Sequence, residues 1–557
     1  MFCISLYVFL VSRVAERGRG ANGTFRCVGW TPAVSRIYAT DAADRNAWEP
    51  NDVKIAPDPD GGSAHRLKTN FDSQTSVSFY YCPSRMPDSI TKHLPVEIST
   101  YIFALAIFGG VASFWEMAQT RWAIFVACGS WLKILNREAR FWTWIMISPK
   151  VGVDCLRDSI CRSGSRALNI HISFRELDIQ AYIARNIDLF STTNDLAITL
   201  LSRRLSYALT HCARWCSLKM ETDMRTVVQT LRPAFKRLHA PQLRCISMTY
   251  LHPSDTSNFA IQSSLTQHTW FSLELPCLEI LSLHAVSMRW ADLPTLPCLR
   301  SLSVFSVESR FSPTFIQYKE IIESSTILEH LALREVGCAD IHLIPKGSHI
   351  TSSSIRSLHI RFGDRPDLRR LASKFVFPAL ENVAIEISSS SDIICTVLCR
   401  DLFASVRKLA IVGVLVLPHT LVFSVFSCIT YLDLTQAGSM VFAQLVESST
   451  ERRTGGLTTV MPGPWPGLNT IVLGHEAPRI IRKFVVLHGA REGSSGKHMT
   501  LRCVRTTFLP LASPLTPADL LDLSWITAHI IHFSIEKVAQ SSLSLQDLKW
   551  RVFPNSD

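Results

Sequence analysis

Two spacings of apolar side chains divide the chain. From Leu94 to Ile145 they recur at helical intervals. Pro95 suits a first helical turn, where its missing N–H would be unpaired anyway, and Glu97 complements the helix dipole there. Ile98, Ile102 and Leu105 follow on one stripe, which Phe103 widens, until Gly109-Gly110 breaks it. A second apolar, Trp-bearing stretch covers 111–125, and a third runs from Val126 to Leu135. The segment ends on Phe141-Trp142-Thr143-Trp144-Ile145. Three short helices this rich in aromatic residues carry more apolar surface than they can bury alone, which predicts a partner.

Beyond it, one pattern recurs: apolar-x-x-apolar-x-apolar. Ten units run from Trp215/Leu218/Met220 to Leu468/Ile471/Leu473, and their starts are 21 to 39 residues apart. Most spacings approach the roughly 20–29 residue period of leucine-rich repeats. The last two apolar positions predict a short strand with alternate residues facing a core, and the first packs beneath the turn before it. One such unit closes no core, so successive units stack into a parallel sheet. Pro often precedes a unit, as in Leu275-Pro276-Cys277-Leu278 and Phe377-Pro378-Ala379-Leu380. The expected fold class is α/β: a short all-helical module, then an irregular leucine-rich-repeat solenoid with parallel strands.

Four regions follow. Residues 1–89 have no apolar periodicity beyond Met1–Val11 and read as a poorly ordered leader; the helical module spans 90–148. The solenoid covers 150–475, and 476–557 forms a C-terminal repeat or cap, with a strand expected in Thr500–Phe508 and a helix from Pro517 to Trp525. Met1–Val11 has neither a basic start nor a cleavage site nearby, so no targeting signal is expected. Thr100–Trp115 is too short to span a membrane, and Leu409–Leu432, with Pro418 and His419 at its middle, reads as two buried strands around a turn.

Composition narrows the function. The chain is 47% hydrophobic and only 18% charged, which suits continuously apolar ladders. Its net charge of +11 is spread over 557 residues without a basic run, so no nucleic-acid partner is expected. Sixteen cysteines are scattered without a Cys-x-x-Cys pair; they are expected to be buried free thiols in the cytoplasm or nucleus, not metal ligands. His211 near Cys212 and Cys216 is read as structural. Ser163-Gly164-Ser165 lacks the frame of a nucleophile elbow, and Gly455, Gly456, Gly463 and Gly467 do not form a phosphate loop. No enzyme, cofactor or metal is expected.

Several motifs carry a family resemblance. Leu94-Pro95-x-Glu97-Ile98-x3-Ile102-Phe103 resembles the opening of F-box domains, and Val126-x-Cys128-x2-Trp131 followed by Phe141-Trp142 resembles their second half. Cys161-Arg162-Ser163-Gly164-Ser165, with Leu168-x-Ile170-x-Ile172 after it, and His211-x2-Arg214-Trp215-x2-Leu218 are similar to segments of F-box-like proteins of mushroom-forming fungi. The resemblance implies a protein-binding adaptor. Its F-box would dock on the Skp-type linker of a cullin ubiquitin ligase, and its repeats would bind a protein substrate. Carried over by position, Leu94, Pro95, Ile98, Ile102, Val126, Trp131 and Trp142 would build or present the docking surface. Gly129-Ser130 stands where that family has basic residues around the Trp, so a scaffold with a decayed F-box and no ligase role is the alternative.

Overall fold

A computed structural model describes residues 95–537, apart from internal stretches among which are 109–116, 184–192, 252–269, 387–398, 414–424, 443–464, 490–502 and 509–515. The expected leader, and with it Met1–Val11, lies outside the described residues, as do Leu94 and Val126. The chain divides into two compact units: residues up to Thr143 with Lys150–Gly164, and Trp144–Pro149 with Ser165–Asp557.

The first unit is helical. Among its described helices are α1 (Val96–Phe108), α2 (Gly129–Arg137) and α3 (Val153–Arg162), with a 3-10 turn at Ala139–Trp142. Helix α1 is described to Phe108, and the next residues in the sequence, Gly109-Gly110, are poor helix formers. It turns Ile102, Phe103 and Ile107 into the core, where Phe103 meets the edge of Trp131 on α2 at 5.2 Å between ring centroids.

The second unit is an α/β array. Its strands are β1 (Trp144–Ile147), β2 (Leu168–Phe174), β3 (Trp215–Thr222), β4 (Cys245–Tyr250), β5 (Ile280–His284), β6 (Ser301–Phe305), β7 (His330–Arg334) and β8 (Ile350–Thr351). They continue as β9 (Ser357–Arg361), β10 (Phe375–Val376), β11 (Asn382–Glu386), β12 (Lys408–Gly413), β13 (Tyr431–Ala437), β14 (Thr470–Leu473), β15 (Cys503–Phe508) and β16 (His532–Lys537). Fourteen of these described strands form one sheet in sequence order, every neighbouring pair parallel; β8 and β10 pair separately. This is the connectivity of a solenoid-like repeat.

All ten predicted units fall on strands, β3 to β7, β9 and β11 to β14. Their thirty apolar positions are at most 3% exposed. The middle position stacks from strand to strand: Leu218, Ile246, Leu281, Leu302, Leu331 and Leu358 are consecutive partners. The first position closes a tight turn. Leu278 N–H donates to the Leu275 carbonyl at 3.1 Å, Leu299 to Leu296 at 3.1 Å and Leu380 to Phe377 at 3.1 Å. Pro276 and Pro378 thus sit at the second residue of a turn, where their fixed φ is favourable, rather than on the strand itself. The same turn exposes Cys277, and Cys161 and Cys428 are exposed as well; among the described cysteines, all free thiols, only Cys338 and Cys399 are buried, contrary to the expectation of buried thiols.

The array also extends beyond the predicted units. Trp144–Ile147, read from sequence as the end of the helical module, is the first strand, with Ile145 and Ile147 opposite Ile170 and Ile172. At the other end β15 carries Thr506 in the core column, its hydroxyl donating to the Gly474 carbonyl at 3.0 Å. Strand β16 follows a helix, Pro517–His529, whose cap is Thr516 with Asp519 and which runs past the expected end at Trp525. Other connections pack as amphipathic helices, such as Arg225–Lys236, which buries Val227, Leu231 and Phe235 at i, i+4 and i+8. The stretch Leu409–Leu432 contributes to β12 and β13, with 414–424 outside the described residues. Among the described residues no helix is long and apolar enough to cross a membrane.

Candidate functional site

In the helical unit the sequence-predicted docking residues separate into two sets. Ile102, Trp131 and Trp142 belong to the core. The Trp142 indole N–H donates to the Leu135 carbonyl at 2.7 Å, and the guanidinium groups of Arg121 and Arg162 each lie 4.7 Å from its ring centroid. Arg121 in turn donates to the Phe141 carbonyl at 3.0 Å, and Arg162 to Asp158 at 2.9 Å. Trp142 is therefore a clamped structural residue. Burial pushes the neighbouring Cys155 thiol up to about 11, against the pull of Arg121.

Pro95 and Ile98 are exposed instead. Ile98 at 48%, Tyr101 at 61% and Leu105 at 42% exposure share the face of α1 away from the core, at i, i+3 and i+7. Tyr101 was not among the sequence-predicted residues; the spacing from Ile98 and Leu105 was the signal for it.

In the sheet, the residues between the apolar positions form the opposite face, and two ionic clusters lie on it. The first centres on Glu221 of β3, which receives Lys219 Nζ at 2.8 Å and Arg175 Nη2 at 2.9 Å, with His171 Nε2 at 3.8 Å. Burial alone would raise this carboxyl, but His171 and Lys219 outweigh it and hold it well below the usual carboxylate range. Burial lowers the His171 imidazole in spite of Glu221.

The second cluster occupies the C-terminal ends of β7, β9 and β11. Register sets Arg334 opposite Arg361, and Arg361 opposite Glu386. Two arginines facing each other on adjacent strands repel. Glu386 answers both: Arg334 reaches it across β9, and Arg361 meets it at 2.9 Å. Glu335 takes a second contact from Arg361 at 2.9 Å and accepts the Ser306 hydroxyl at 2.8 Å. The Arg334 guanidinium lies 5.3 Å from the Phe305 ring, whose edge meets His284.

The backbone is strained at the same place. Ala285, Ser306 and Glu335, the residues directly after β5, β6 and β7, adopt left-handed φ of 55°, 50° and 53°. Such a conformation costs a non-glycine residue roughly 1–2 kcal/mol. Opposed arginines and three strained strand exits are local costs, and costs of this kind collect at functional surfaces. Sequence reading passed over these residues. Their signal was a charged residue directly after the last apolar position of successive units, in Leu333-Arg334, Ile360-Arg361 and Ile385-Glu386.

No family model matches this chain, and no curated protein is significantly similar to it. Among the described residues, no three His, Cys, Asp or Glu side chains are grouped as a metal would require. A cavity of about 420 Å³ is lined by Leu209, Cys212, Pro233, Ala234, Arg237 and Leu238, with no carboxylate or imidazole to serve as an acid or base.

Proposed function

We propose that the chain is a protein-binding adaptor, the substrate-recognition subunit of a SKP–cullin–F-box type ubiquitin ligase in the cytoplasm or nucleus. The observation that carries this reading is the exposed apolar stripe Ile98, Tyr101 and Leu105 on a helix whose other face is already in the core. A stripe of this kind is an unspent anchor for a partner helix or groove. The stacked sheet supplies the second surface, since repeat arrays present extended faces for protein binding. On it, the Arg334/Arg361/Glu386 cluster beside Phe305 is the proposed contact for the substrate.

The test mixes the full-length chain with a Skp-type linker at stoichiometric concentrations and follows complex formation by size exclusion. A stable complex is expected, and Ile98→Glu with Leu105→Glu abolishes it while leaving the unfolding transition in place, because both side chains are exposed. Absence of a complex with the unaltered chain rejects the ligase role. That result would favour the second reading, a repeat scaffold with a decayed F-box, which the Gly129-Ser130 opening of α2 supports.

A further inference from the structure

Directly after the first apolar position, each unit carries one residue on a column of its own. Along the sheet this column reads Arg244, Glu279, Arg300, Glu329, Arg356, Glu381, Arg407, so the charge alternates at every step. The residues are true neighbours. Each N–H donates to the carbonyl of the column residue before it, from Glu279 on Arg244 at 2.8 Å to Arg407 on Glu381 at 2.9 Å. The same carbonyls also accept the next N–H along, as Arg244 does from Ile280 at 2.9 Å and Glu329 from Ser357 at 3.0 Å. Side chains reach ion-pair distance at Arg244–Glu279 and Arg300–Glu329, both 3.5 Å.

The backbone bonds and the apolar triplets are nearly the same in every unit. They state how a strand docks but not which strand follows which. Looping out one unit costs little chain entropy, because that cost grows only slowly with loop length. Docking on the next strand but one is therefore the natural error of such an array. On this column, next-but-one neighbours always carry like charge: Arg244 and Arg300, Glu279 and Glu329, Arg300 and Arg356. We infer that the alternating Arg/Glu column is a parity code that holds strands β4 to β7, β9, β11 and β12 in sequential order during folding. Correct stacking sets opposite charges together, and a skipped strand sets like charges together, which destabilises the pairing. The code ends where the column becomes uncharged, at Cys216 on one side and at Thr430 and Asn469 on the other.

Two variants of the full chain test it. Glu279→Arg with Arg356→Glu keeps the composition but orders the column as three Arg, three Glu, one Arg. Exchanging Arg and Glu at all seven positions keeps the alternation with every sign reversed. Each chain is unfolded in urea, diluted into about 10 mM or about 1 M salt, where the screening length is ~30 Å or ~3 Å, and scored for recovered native monomer. The block-ordered variant is expected to recover at least about three-fold less monomer at low salt, with the gap closing at high salt. The fully inverted variant should match the unaltered chain at both. Equal recovery for the block-ordered variant at low salt overturns the inference. So does a fully inverted variant impaired as much as the block-ordered one, or a deficit that salt leaves unchanged.

Discussion

Glu221 shows what a single side chain contributes on the face of this sheet. It is nearly buried, yet Lys219 and Arg175 bring their cationic groups within 3 Å of its carboxylate, at 2.8 and 2.9 Å. Its folded pKa lies below the unfolded value of about 4.3. The stabilisation is therefore complete above that pH and is lost as pH falls towards the lower folded value. His171 acts in the same direction: burial lowers its folded pKa, so stability is also lost as pH falls below its unfolded value of about 6.5. We expect the urea midpoint of the unaltered chain to drop as pH falls through these values. Glu221→Gln should cost about 1–2 kcal/mol at neutral pH and flatten the drop below pH ~4; the smaller end is favoured because Arg175 and Lys219 are 45% and 41% exposed and can turn to water. Urea titrations of both chains at several pH values decide it. An unchanged acid limb in the variant would remove Glu221 from the account.

At the scale of elements, the strand is the unit of legibility. The spacing apolar-x-x-apolar-x-apolar marks both a turn and the strand after it, which is why β3 to β7 and their later counterparts could be located. Among strands that break the spacing, β15 falls within the expected Thr500–Phe508, whereas others were missed or assigned elsewhere. Strand β1 has four residues and directly follows Thr143, the end cap of a 3-10 turn, so nothing separates it from the helical module. Strand β2 reads Leu168-x-Ile170-x-Ile172 without an apolar residue three positions before Ile170 except the exposed Ala167. The strand exits add a prediction. Ala285 sits at φ 55° with a Cβ that this conformation penalises. Ala285→Gly should therefore raise stability by about 0.5–1 kcal/mol, the reverse of the usual sign for this substitution, after the added freedom of the unfolded chain is deducted. A lowered thermal midpoint would show that the left-handed exit carries no strain.

For the whole molecule, stacking makes each unit depend on its neighbours. Residues 503–508 and 532–537 lie beyond the ten predicted units, yet they pair in register with β14 and with each other. Truncation after Gly474 would remove both strands and leave the backbone groups of Thr470–Leu473 as a bare edge. Self-association is the expected outcome, because an uncapped array offers a template for another chain. Light scattering checks it; a monomer with the unfolding midpoint of the full chain would mean that β15 and β16 are dispensable.

Local apolar spacing was sufficient to locate the ten units, their turns and the parallel stacking, because each unit must bury the same three positions and no single unit can do so alone. It also marked Ile98 and Leu105 as one helix stripe. It did not say which side of that stripe would meet the core. Helix α1 is apolar nearly all round, so only packing within the helical unit buried Ile102 and exposed Ile98, Tyr101 and Leu105. The meeting of Arg334, Arg361 and Glu386, and the alternating column from Arg244 to Arg407, likewise came from tertiary register. These residues are about 25 residues apart in sequence, roughly one repeat, and strand pairing alone brings them side by side.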